Sequence, residues 1–135
     1  MKLSKQNKKT LIDEIKFALE KMQASKDPNS IMYYFSAVYG VMHRIFNIEY
    51  DSDLVFTHFI ISSIHSQINS RIQVQDQVIK LPDNFFDKLI EITGALLDVI
   101  KNDKDLYEVL KKFTILGYIT IGNGYYLYQK GLLKI

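Results

Sequence analysis

Three histidines, fifteen carboxylates and no cysteine bound the chemistry available to this 135-residue chain. Without cysteine there is no disulfide, thiolate metal site, cysteine nucleophile or iron–sulfur cluster. His58 and His65 lie seven residues apart, so they share a helix face two turns distant. Helical metal ligands sit at i and i+3 or i+4, which makes this a poor metal pair, and His43 on another helix could join only through packing. Asp51 and Asp53 open like a calcium loop but lack its glycine and closing glutamate, so helix capping is the better reading. Gly122-Asn123-Gly124 lacks the third glycine of a dinucleotide fingerprint. Ser62, Ser63, Ser66 and Ser70 sit on no nucleophile elbow. Asp87 and Glu91 are i and i+4 on a solvated face. The expectation is therefore no catalytic residue, no metal and no cofactor: not an enzyme.

The cations are unevenly placed. Residues 1–26 carry seven lysines against three acids, residues 27–100 four basic against nine acidic residues, and residues 101–135 six lysines against three acids. Basic ends on an acidic middle leave two surfaces that could face an anion, with solvated lysine as the plainer account. Lys2, Lys5, Lys9 and Lys16 fall in one arc of an N-terminal helix. Near the other end, Lys104, Tyr107, Lys111 and Thr114 share a face.

Positioning these residues falls to a series of amphipathic elements. Leu11, Ile15, Ala18 and Met22 predict a helix over 9–24. Pro28 breaks the chain, and Asn29 or Ser30 can cap the next helix. Residues 31–47 carry apolar side chains all round, which predicts a helix buried on every side or shared between a core and a subunit interface. A polar link with Ser52 or Asp53 as cap leads to a helix over 53–70. The period then changes, and 72–81 reads as an irregular link with one short strand. Pro82 ends it. A helix over 83–101 and another over 104–116, capped by Asp103, follow. Gly117–Ile121 and Tyr125–Tyr128 are β-prone runs joined across Asn-Gly, which predicts a β-hairpin.

Helix, glycine, strand, Asn-Gly turn, strand and Lys130-Gly131 together resemble the end of a winged helix-turn-helix domain. The matching residues are Leu110, Leu116, Gly117, Tyr118, Ile119, then Gly124 to Leu127, then Lys130 and Gly131, about a fifth of the chain. The resemblance implies a mainly α fold of about five helices with a C-terminal β-hairpin and a winged-helix-like C-terminal half. It implies that 104–116 is a recognition helix. Lys104 and Lys111 would then meet phosphates, and Tyr107 and Thr114 base edges or backbone. Asn123 would lie at the wing tip, and Lys130 would add a phosphate contact.

The expected organisation is N-terminal helices over 1–50, serving core or dimerisation, and a winged-helix-like domain over 51–135, a single compact unit being the simpler variant. Tyr33, Tyr34 and Tyr39 are candidates for a homodimer seam, because tyrosine buries its ring while keeping its hydroxyl paired. No apolar run matches a signal peptide, and polar groups interrupt the charge-free stretch 54–70, so a cytoplasmic location and no membrane contact are expected. The leading function on this reading is a dimeric transcriptional regulator binding double-stranded DNA. The alternative is a helical interaction or scaffold protein without nucleic-acid affinity, and a helical enzyme or toxin-type protein ranks third.

Overall fold

The computed structural model describes residues 1–74 and 80–135. Six helices follow in order: α1 (Lys5–Ala24), α2 (Pro28–Phe46), α3 (Ser52–Gln73), α4 (Phe85–Lys101), α5 (Tyr107–Ile119) and α6 (Gly122–Gln129). Each of the first three starts on a side-chain acceptor: Ser4 takes the Asn7 N–H, Asp27 that of Ser30, and Asp51 that of Leu54. These caps satisfy donors that the first helical turn leaves free. The cap of α2 is Asp27, ahead of the expected Asn29 or Ser30, and that of α3 is Asp51, ahead of the expected Ser52 or Asp53.

The first five helices close a ring. α1 packs on α2 and α4, α2 on α3, α3 on α5, and α5 on α4. Leu11, Ile15, Ala18 and Met22 are the buried stripe of α1, as their spacing predicts. Phe35 of α2 reaches across to Phe113 of α5, with ring centroids 5.9 Å apart, so the centre is filled by side chains. One core cluster draws on all five helices. Polar ties fix the ends: the Ser4 N–H and the Asn7 side chain donate to Glu49 at 2.8 and 2.7 Å, and Lys8 pairs with Asp103 at 2.5 Å.

The expected C-terminal hairpin is not formed, and no strand occurs among the described residues. α5 runs on through Gly117 to Ile119, and the Asn-Gly segment opens α6. Packing overrides the local β preference here. Gly117 is buried against α3, where a Cβ would lie 2.6 Å from Ile64 Cδ1. Gly124 is buried against α5, where a Cβ would lie 2.0 Å from the Tyr118 carbonyl oxygen. Both glycines therefore serve close helix approach and not a tight turn. With the hairpin goes the wing, and the winged-helix-like half with it.

Other expectations shift less. Asp103 does not cap α5; it takes a left-handed φ of 52° just after α4, where Lys104 N–H bonds back to the Val99 carbonyl. Of the expected link over 72–81, Ile72 and Gln73 belong to α3, Val74, Lys80 and Leu81 are in no strand, and 75–79 lie outside the described residues. α2 is not buried all round: Tyr33 is 71% exposed, and Ala37, His43 and Arg44 also face outward.

Candidate functional site

The face expected to meet DNA is open but internally neutralised. Tyr107, Lys111 and Thr114 are exposed along α5, and Lys104 precedes it. Lys104 pairs with Asp98 at 3.0 Å, and Lys111 lies 3.8 Å from Glu108 and 5.1 Å from the centroid of the Tyr107 ring. Thr114 spends its hydroxyl on the Lys111 carbonyl. Asn123 is on α6 and donates to the Tyr118 hydroxyl, while Lys130 stands over the Tyr126 ring. Neither extends the α5 face as a wing would. Asp98 is held below the usual carboxylate range first by its bond from Lys104, so that lysine is already engaged.

A different surface stands out by what it lacks. α2 carries no Asp, Glu, Lys or Arg from Pro28 to His43, and α3 none from Leu54 to Ser70. By contrast, α1 carries eight such residues and α4 five. An uncharged helix interior is ordinary when the helix is buried, but both of these have an outward face. On α3 the exposed positions include Ser52, Phe56, Phe59, Ser63, Ser66 and Ser70, spaced three and four residues apart in one stripe. Phe56 is 58% exposed and Phe59 61%. On α2 the outward positions are Tyr33, Ala37, His43 and Arg44, with Gly40 half-buried and nothing within 4 Å of where its Cβ would stand. The charges lie at the margins: Asp27, Arg44 paired with Glu14, and Asp53.

Rings join the two helices into one surface. Phe46 and Phe59 stack with centroids 6.5 Å apart. His58 sits beneath them, edge-on to both at 4.8 Å, with His43 at 5.5 Å and Tyr39 at 5.9 Å. His65 packs against Tyr39 and Phe35 and contacts the Met32 carbonyl through Nε2 at 3.1 Å, the geometry of a donated N–H. Burial lowers the pKa of His58, and the nearby His43 adds to the effect. Burial likewise lowers that of His65, against the bond to Met32. Both imidazoles are therefore held neutral. Among the described residues, His58 Nδ1 and Thr57 Oγ1 are buried without a hydrogen-bond partner.

Of the tyrosines expected at a dimer seam, Tyr33 is on this outward side, Tyr34 is half-buried with its ring edge-on to Tyr33 at 5.2 Å, and Tyr39 lines the histidine seam. Packing does bring His43 to His58, but among the described residues no group of three potential ligands is placed to hold a metal ion. The sequence pattern placed Phe56 and Ala37 among the packing positions, whereas both are exposed, and it gave Phe59 and Gly40 no role. Their signal was available: in a ring of helices this small, part of a charge-free stretch of seventeen residues has to meet solvent. Among the described residues no helix is long and apolar enough to cross a membrane. No family model, curated protein or solved structure matches the chain.

Proposed function

We propose that this protein is a helical interaction protein, and that the charge-free face of α2 and α3 pairs with the same face of a second copy. The observation that supports this is the exposure of Tyr33, Phe56 and Phe59 on two neighbouring helices that carry no charge along their middle turns. Depletion of charge with enrichment of aromatics marks the centre of protein interfaces. An uncharged face meets its own copy without like-charge repulsion, which suits a two-fold contact. Two helices of this length, about 30 Å long and about 10 Å apart, present on the order of 600 Å² per partner. That gives about 1,200 Å² in total, the lower bound for a stable interface. Small residues at Ala37 and Gly40 let a partner helix approach closely.

Light scattering across a concentration series tests the pairing. The native chain is expected to approach twice its monomer mass as concentration rises. Phe56→Glu/Phe59→Glu is expected to remain monomeric, with pairing weakened at least about a hundredfold, because an unpaired carboxylate resists burial. A native chain that stays monomeric at every concentration refutes pairing with itself.

The open α5 face keeps DNA as a second reading, since Tyr107, Lys111 and Thr114 are exposed together. Binding to mixed duplex DNA at two salt concentrations decides it. Salt-sensitive binding lost in Lys104→Glu/Lys111→Glu would favour DNA over the pairing face as the working surface.

A further inference from the structure

The groove between α4 and α5 lies away from the α2–α3 face and has a different chemistry. It encloses about 460 Å³ and is floored by Ile92, Ala95, Ile115, Leu116 and Ile135. Its rim carries Lys88, Lys111, Lys112 and Lys134 against Glu91 and Glu108. Lys88 is engaged by Glu91 at 3.0 Å, and Lys111 lies 3.8 Å from Glu108. Lys112 and Lys134 pair with no carboxylate among the described residues. Cations are in excess on this rim, four lysines against two glutamates.

We infer that this groove binds a free medium-chain carboxylic acid, the alkyl chain on the apolar floor and the carboxylate between Lys112 and Lys134. The volume falls within the usual range for small-molecule sites, which pair an apolar lining with a few placed polar groups. Its walls run from Lys88 to Ala95 on α4 and from Glu108 to Leu116 on α5. At about 1.5 Å per residue that is roughly 12 Å, two helical turns. An extended alkyl chain advances about 1.25 Å per carbon, from C–C bonds of about 1.5 Å at tetrahedral angles. Roughly ten carbons therefore match the length of the groove walls. A neutral alcohol would leave the two free lysines unanswered, and an alkylammonium would be repelled by the rim.

Two-dimensional amide NMR of the full chain, titrated with dodecanoate below its micelle concentration, tests this, with dodecanol, dodecyltrimethylammonium and anionic phospholipid vesicles as parallel arms. The expected result is saturable shifts centred on Ile92, Ala95, Ile115 and Leu116 for dodecanoate alone. Lys112→Glu/Lys134→Glu is expected to weaken binding by roughly tenfold, as reversal of two exposed charge contacts allows, with the circular dichroism spectrum unchanged. Ala95→Trp fills the floor and is expected to abolish the shifts. The inference is overturned by the absence of saturable shifts, by shifts centred on Phe56 and Phe59, by equal binding of the alkylammonium, or by binding to vesicles alone.

Discussion

Acidification from pH 8 to 5.5 should destabilise this protein through two imidazoles that burial makes harder to protonate while the bundle is closed. His58 lies under Phe46 and Phe59 at 7% exposure, and His65 is wedged between Tyr39 and Phe35. Burial lowers both pKa values from 6.5, so each group protonates more readily in the unfolded chain. A depressed histidine pKa contributes full stability above the unfolded value and loses it as pH falls below that value. For a group that stays neutral when folded, the loss at pH 5.5 is RT ln(1 + 10), about 1.4 kcal/mol. The two together reach at most about 2.8 kcal/mol, a large fraction of the 5–15 kcal/mol typical of a small domain.

Urea unfolding at a series of pH values reads this directly. The midpoint should hold from pH 8 to 7, then fall with a slope that steepens towards two protons taken up per molecule unfolded. His58→Leu should remove about half of the fall. It should cost little at pH 8, because His58 Nδ1 has no hydrogen-bond partner among the described residues to lose. The carboxylates do not confuse the window. Asp27, Glu49, Asp51, Asp98 and Asp103 are all held below their ordinary values of 3.8 to 4.5, and stability from them is lost only at lower pH. A midpoint flat between pH 8 and 5.5, or one that falls equally in His58→Leu, would refute the reasoning.

Gly124→Ala should undock α6, because the new methyl would stand 2.0 Å from a backbone oxygen that cannot move aside; the cost is about 1–3 kcal/mol, read as loss of amide protection confined to 122–129. Gly117→Ala should stay within about 1 kcal/mol of native in urea, since the flexible end of Ile64 can yield and alanine favours the helix. Asp51→Ala should cost about 1–2 kcal/mol in the same assay, because one carboxylate accepts the Leu54 N–H at 2.9 Å and the Lys2 N–H at 2.8 Å. Burial works to raise the Asp51 pKa, but these donors together with nearby positive charge lower it overall, so this contribution is present at neutral pH and fades as pH falls through the ordinary carboxylate range.

Five helices were legible because each buries a stripe that repeats at the helical period, and a stripe is a local signal. Leu11, Ile15, Ala18 and Met22 needed no knowledge of their neighbours to be read. The last fifteen or so residues were not legible in that way. Ile119, Ile121, Tyr125 and Tyr126 favour strands by type, and Asn123-Gly124 favours a turn. What decides their structure is that Gly124 accepts the Tyr118 carbonyl where any other residue would place a Cβ. That contact is tertiary, and glycine as turn and glycine as close approach are spelled alike. A helix expected over 104–116 is found over 107–119, as α5; Lys104 precedes it and pairs with Asp98, and Lys111 lies near Glu108.

The same distinction governs the candidate site. Apolar residues all round α2 predict burial on every side, yet α2 has only α1 and α3 beside it in the ring, with Phe113 beyond Phe35 at the centre. Five helices can cover the inner half of each member and no more. The outer half of α2 and α3 is therefore apolar or neutral for a reason that the fold of one chain does not supply. Covering it removes Tyr33, Phe56 and Phe59 from water, at roughly 25 cal/mol per Å² of apolar area. It would also cover the small part of His58 that still meets water, which favours its neutral form further. Pairing and acid sensitivity are thus coupled: the midpoint at pH 5.5 should rise with protein concentration, and Phe56→Glu/Phe59→Glu should abolish that rise. A midpoint independent of concentration in the native chain would separate the two and leave the face without a partner of its own kind.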